Sequence, residues 1–171
     1  LEQDHFAFDK KQVLETVIMG NEILFKIKKE MDKIYSKADF SDLDSDRVGV
    51  LQLEYEEMDG WNAESSAAAL LSNLDIKEGL HYKIMSELDG IQKVKVLLAQ
   101  ALFGNPDVLI MDEPTNDLDF ETITWLENFI ANYDNTVIVV SHDRHFLDSV
   151  CTHISDIDFG KINHFSGNYT F

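Results

Sequence analysis

Apolar residues recur at three- and four-residue steps through the first part of the chain: Val13, Val17, Ile18, Ile23, Leu24, Ile27, Met31 and Ile34. That spacing predicts helix. Lys26, Lys28, Lys29, Lys33 and Lys37 fall mostly between the apolar positions. An Asp- and Ser-rich break covers residues 38–45, where Ser41 or Asp42 can cap a second helix over about residues 42–58. That helix carries Val48, Leu51, Leu53, Tyr55 and Met58, and Asp59-Gly60 ends it. Two helices joined by a short polar break describe a helical hairpin. Asn62 or Ser65 can cap a third helix through residues 67–74.

Beyond residue 80 the texture changes to alternating helix and strand. Residues 92–102 read as helix, and Asn105-Pro106-Asp107 as a turn. Val108-Leu109-Ile110-Met111 is an unbroken apolar run, the pattern of a strand buried on both faces. Residues 120–133 form an amphipathic helix, residues 136–141 a second apolar strand, and residues 143–150 a further helix. Residues 153–159 and 161–165 then read as antiparallel strands hinged at Gly160. Apolar strands alternating with helices predict an α/β fold with a parallel sheet.

Composition narrows the function. Of 171 residues 44% are hydrophobic, enough for a sizeable core, and the formal charge is −18. The acid is spread evenly, and no lysine/arginine block is present to neutralise phosphates, so this chain alone is a poor nucleic-acid binder. Acidic surface serves solubility first. Cys151, the single cysteine, excludes an intramolecular disulfide and reads as a small core residue in Ser149-Val150-Cys151. No apolar run reaches the roughly 18 residues that cross a bilayer, and no signal peptide is visible. A cytoplasmic protein is the expectation. Leu1 in place of a methionine suggests a piece of a longer protein.

Three stretches carry chemistry. An apolar strand ending in Asp112-Glu113-Pro114 places two carboxylates at its C-terminal edge, where open α/β sheets bind ligands. The first acid suits Mg²⁺, which takes oxygen ligands and keeps part of its water shell. The second can polarise an attacking water. A strand followed by an acidic turn is the plain alternative. Val140-Ser141-His142-Asp143 puts an imidazole just past the other strand, able to donate to a γ-phosphate or to serve as an ordinary turn residue. Leu88-Asp89-Gly90-Ile91-Gln92 opens a helix whose backbone N–H groups can hold an anion, or which is simply capped by Ser86 or Asp89.

In this order the residues resemble the ATP-binding cassette (ABC) ATPases, and the resemblance covers nearly the whole chain. Leu88-Asp89-Gly90-Ile91-Gln92 stands where that family has its Leu-Ser-Gly-Gly-Gln signature. Asp112 and Glu113 match the Walker B aspartate and the catalytic glutamate. Asn116-Asp117-Leu118-Asp119 matches the D-loop, His142 the switch histidine, and Gln3 the Q-loop glutamine. Glu113-Pro114-Thr115-Asn116 through Asp119, then Ser141-His142-Asp143-Arg144, looks like ABC-F, a branch with two nucleotide domains in one chain.

The resemblance implies an incomplete P-loop NTPase domain with a parallel sheet core and an inserted helical subdomain. Residues 1–12 would be the Q-loop segment and 13–80 the helical subdomain, with an arm hairpin at about 21–60. Residues 81–171 would hold the signature, Walker B, D-loop and switch histidine. It implies ATP and Mg²⁺ as ligands, with Asp112 and Gln3 at the metal and Glu113 and His142 catalytic. Gln3, Asp89, Gly90, Gln92 and Asp119 would meet nucleotide. Implied partners are a second nucleotide domain of the same chain and the ribosome, the latter through the arm, in translation. An ABC transporter subunit and a non-catalytic ribosome-interaction module are the alternatives.

Two departures from the family pattern bear on activity. No Gly-x-x-x-x-Gly-Lys-Ser/Thr occurs in the 171 residues, so the cradle for the β- and γ-phosphates is not among them. Little ATP hydrolysis is expected from this piece alone, and self-association through an uncovered sheet is expected. The signature serine is replaced by Asp89, whose charge would repel phosphate by roughly 4 kcal/mol at 4 Å and an effective dielectric of 20.

Overall fold

The computed structural model describes residues 8–158 and 160–170. They form two compact units, one running to Asn105 and the other starting at Pro106. The first unit is helical: α1 (Val13–Ile18), α2 (Glu22–Tyr35), α3 (Asp42–Glu57), α4 (Ala63–Asn73), α5 (Glu78–His81) and α6 (Gly90–Leu102).

The long periodic segment at the start is two helices rather than one. Gly20 interrupts it, and a Cβ there would lie 1.9 Å from the Gln100 carbonyl oxygen of α6. Only glycine permits the end of α1 to come so close to the α6 backbone. Asn21 then starts α2 by accepting a hydrogen bond from the Leu24 N–H at 3.2 Å. Val13, Val17, Leu24, Ile27, Met31 and Ile34 are buried as the periodicity predicts, but Ile23 is exposed. Placing the break at Gly20 resets the helical phase and turns Ile23 outward.

α2 and α3 pair as the expected hairpin. Ser41 caps α3 in a capping box with Asp44. Val48, Leu51 and Tyr55 form its buried stripe. Asp59 takes the left-handed conformation at its end, and Gly60 follows because a Cβ would meet the Tyr55 ring at 2.6 Å. The third helix begins at Ala63 rather than residue 67, and Asn62 precedes it without a side-chain cap bond. Four of the five lysines on α2 and just past its end are ion-paired: Lys26 with Glu22, Lys28 with Glu64, Lys29 with Glu15 and Lys37 with Asp44.

α6 packs on α1 and α4, so the helix opened by the signature stretch belongs with the helical unit. The chain before α1 is stitched to the chain before α6. Met85 N donates to Lys11 O at 2.8 Å, Ser86 N to Asp9 O at 3.1 Å, and Val13 N to Lys83 O at 2.9 Å. Lys93 of α6 pairs with Asp9, its side chain 8% exposed.

The second unit contains β1 (Val108–Asp112), α7 (Phe120–Ala131), β2 (Thr136–Val140), α8 (Arg144–Val150), β3 (His153–Asp158) and β4 (Lys161–Ser166). β1 and β2 are parallel, joined by the α7 crossover, in the register Ile110 to Ile138 and Asp112 to Val140. β3 and β4 form the antiparallel hairpin, with Gly160 at φ +73° in its turn. The apolar runs of β1 and β2 are not buried on both faces. Leu109 and Met111 are buried, whereas Val108, Ile110, Ile138 and Val140 are about half exposed. Those four residues share one face by register, so the pair has one covered and one open side. Cys151 is part-exposed rather than a core residue, and burial beside Asp148 raises its thiol pKa.

Two outcomes test this packing. Gly20→Ala forces α1 and α6 apart and is expected to lower stability by about 1–3 kcal/mol, read as a shifted midpoint in urea unfolding. The Asp44 carboxyl is pulled down to about 2, first by the Lys37 ammonium and then by Ser41. Its folded pKa lies below the ordinary 3.8, so the cap is complete above that value and fails as pH falls through about 2. NMR titration of Asp44 is expected to show this midpoint, and Lys37→Ala to move it upward.

Candidate functional site

The parallel register sets the geometry at the C-terminal tips of β1 and β2. The Glu113 N–H donates to the Val140 carbonyl at 2.8 Å, extending the ladder one residue beyond the strands. Glu113 then takes a left-handed conformation, φ +46°. For a residue with a Cβ this is uncommon, costs on the order of 1 kcal/mol or more, and is found concentrated at functional sites. Nothing in Asp-Glu-Pro announces it, since a following proline favours extended backbone.

The turn at Glu113 brings its carboxylate against His142, the second residue past β2. Glu113 Oε2 accepts a hydrogen bond from the His142 backbone N–H at 3.3 Å. Glu113 Oε1 lies 3.6 Å from His142 Nε2. The carboxylate side is largely enclosed at 20% exposure, while the imidazole is 99% exposed. An enclosed acid therefore sits beside a ring open to solvent. His142 is held from both sides by backbone rather than by its ring. Ser141 Oγ accepts from Asp143 N at 3.0 Å, and Asp143 Oδ1 caps α8 through the N–H groups of His145 and Phe146. The role of the Ser141 hydroxyl was not visible in the sequence.

Asp112 ends β1 on the open face of the strand pair and is exposed. Among the described residues no three His, Cys, Asp or Glu side chains converge as a metal cage. A solvent-exposed carboxylate at a strand tip is an oxygen donor of the kind Mg²⁺ takes beside its waters.

Asp119 caps α7, accepting from Thr122 N and Thr122 Oγ1, both at 2.8 Å. Asp117 before it is also left-handed, φ +62°, so the stretch from Glu113 to Asp119 is a tight loop with two unusual turns. α7 and α8 pack together. His145 on α8 faces Glu127 on α7 at 3.3 Å, a contact the sequence reading did not single out.

In the helical unit, Asp89 and Gln92 form a capping box at the start of α6. Asp89 Oδ1 accepts from Gln92 N at 2.8 Å, and Gln92 Oε1 accepts from Asp89 N at 3.1 Å. Gly90 is the first residue of the helix, and a Cβ there would meet nothing within 4 Å. A carboxylate as cap neutralises part of the positive helix end that would otherwise attract an anion. Gln3, the Q-loop position, lies outside the described residues.

A family model described as ABC transporter matches residues 1–116, two thirds of the chain. Over all 171 residues the chain is 58% identical to "Uncharacterized ABC transporter ATP-binding protein YkpA" of Bacillus subtilis (strain 168), covering 100% of this chain and 32% of that protein. It is 49% identical to "Probable ATP-binding protein YbiT" of Escherichia coli O157:H7, over 99% of this chain and 32% of the relative. Identity to "ABC transporter F family member 4" of Arabidopsis thaliana is 31%, over 94% of this chain and 24% of the relative. The chain thus spans a third or less of the length of these relatives. Among solved structures, the dimeric structure of MJ0796, a bacterial ABC transporter cassette, matches with a TM-score of 0.62 at 20% identity, over 96% of this chain and 60% of that one. The shared architecture is the α/β fold of ABC ATPases. No described helix is long and apolar enough to cross a membrane. The chain belongs to the ATP-binding cassette family, and ABC transporter F family proteins are among its relatives.

Proposed function

We propose that this chain supplies the hydrolytic acid, the metal-binding aspartate and the switch histidine of an ATP-hydrolysing site, in a cytoplasmic ABC-F protein that acts on the ribosome during translation. The observation that carries the hydrolytic part is the contact between Glu113 and His142 across adjacent strand tips. In this reading Glu113 orients the water that attacks the terminal phosphate. Its enclosed position suits that task, since a carboxylate held by a backbone N–H keeps its direction. His142, open to solvent beside it, donates a hydrogen bond to the terminal phosphate. Asp112 and Gln3 would hold Mg²⁺, which when bound offsets phosphate charge. Asp119 with its loop, and Asp89, Gly90 and Gln92 at the head of α6, would meet nucleotide across the contact with a second nucleotide domain.

The ribosomal part rests on the sequence resemblance to ABC-F proteins, with the α2–α3 hairpin read as the arm that this resemblance implies. A transporter subunit is the second reading, and the relatives' names keep it in view.

Glu113→Gln in the full-length protein is expected to cut steady-state phosphate release by about a hundredfold or more, with nucleotide binding retained. Undiminished turnover would remove Glu113 from the role. The 171-residue chain alone is expected to show no tight Mg-ATP binding by calorimetry, because the phosphate cradle is not in its sequence.

A further inference from the structure

The His142 ring is 99% exposed and lies 3.6 Å from the Glu113 carboxylate. A ring so open is aimed by the backbone that carries it rather than by packing around it. That backbone runs straight into α8, whose first turn Asp143 caps. Whatever fixes α8 therefore fixes the direction of His142.

α8 is held on three sides. Phe146 anchors it in the core, fully buried. His145 meets Glu127 of α7 at 3.3 Å. The third side is the face of Arg144 and Asp148, one helical turn apart. The residues that follow β4 cover it. Gly167 takes φ +118°, a conformation open to glycine, and its N–H donates to the Thr152 carbonyl at 2.9 Å. The chain then turns back along α8. The Tyr169 ring centre lies 5.2 Å from the Arg144 guanidinium carbon, a cation–π contact. The Thr170 N–H donates to Asp148 Oδ1 at 2.8 Å, and the Thr170 hydroxyl donates to Asp148 Oδ2. Both oxygens of one carboxylate are thus taken by one residue, which fixes its direction as a single contact would not.

These contacts add little to the core. Tyr169 is 43% exposed, and Arg144 and Thr170 are exposed as well. The β3–β4 pairing is already complete at Ser166. What the contacts do is fasten the beginning of α8, where Arg144 stands two residues from His142. We propose that residues 167–170 form a clasp on α8, and that Tyr169 and Thr170 are positioning residues for His142. The proposal rests on the hydrolytic reading of His142 and extends it to two residues that need never touch nucleotide.

The test is steady-state phosphate release by the full-length protein, with the melting temperature followed in parallel. Tyr169→Ala is expected to lower kcat about tenfold with KM for ATP unchanged, since a small misplacement of a reacting group is costly. Tyr169→Phe keeps a ring over Arg144 and is expected to restore the original kcat. Thr170→Val loses the hydroxyl bond but keeps the backbone one, and is expected to lower kcat about threefold. His142→Ala decides the route: if the clasp acts through His142, Tyr169→Ala costs nothing further in that background. An equal loss in both backgrounds, an unchanged kcat in Tyr169→Ala, or a loss that Tyr169→Phe does not rescue and that tracks a lowered melting temperature would overturn the proposal. Undiminished turnover in His142→Ala with Tyr169 intact would instead overturn the hydrolytic reading, and the clasp's role with it.

Discussion

Asp112 faces Val140 across the β1–β2 ladder, and the bond from Glu113 to the Val140 carbonyl carries that ladder past the end of both strands. The strand-tip part of the candidate site descends from this pairing. A slip of one residue would turn each side chain to the other face of the sheet and separate the acid from the imidazole. Because α7 is the crossover between the two strands, the same register also fixes where the Glu113–Asp119 loop must end and the helix begin. The left-handed turn at Glu113 is affordable only because the ladder bond on one side and the α7 cap on the other hold it.

Acidic residues at the heads of helices serve the fold as well as the chemistry the family pattern implies. Asp89 closes a capping box on α6, Asp119 caps α7 and Asp143 caps α8. Each such cap contributes about 1 kcal/mol. Removing Asp89 or Asp119 therefore disturbs a helix start before it disturbs any nucleotide, and loss of activity in such a variant is not by itself a sign of a direct contact. Glu113 and Asp112 differ in this respect, since neither caps a helix, and their substitution reads more directly on chemistry.

The helical unit is held by close approach as much as by apolar burial. Gly20 lets α1 reach the backbone of α6, and the strand-like stitching of residues 9–13 to 83–86 ties the entry of α1 to the entry of α6. The ion pair of Lys93 with Asp9 sits at the same junction. The segment before α1 is thereby fastened to the start of α6. On the hairpin, lysines meet carboxylates of the same unit at the surface.

By itself the sequence determined most of the helices and strands and the parallel α/β character, because these follow from period, caps and residue type over short spans. The start of α3 at Ser41 or Asp42 and Gly160 as the β3–β4 turn were readable for the same reason, and the structure chose Ser41 as the cap. The tertiary structure decided the rest. Ile23 faces water because the break fell at Gly20, which is imposed by the distant α6 backbone. Val108 and Ile110 stand open because burial depends on what covers a face, not on the residues in the strand. The meeting of Glu113 with His142 rests on a pairing across 29 positions of chain, and the positive φ that aims the carboxylate arises from that pairing, so neither leaves a local mark in the sequence.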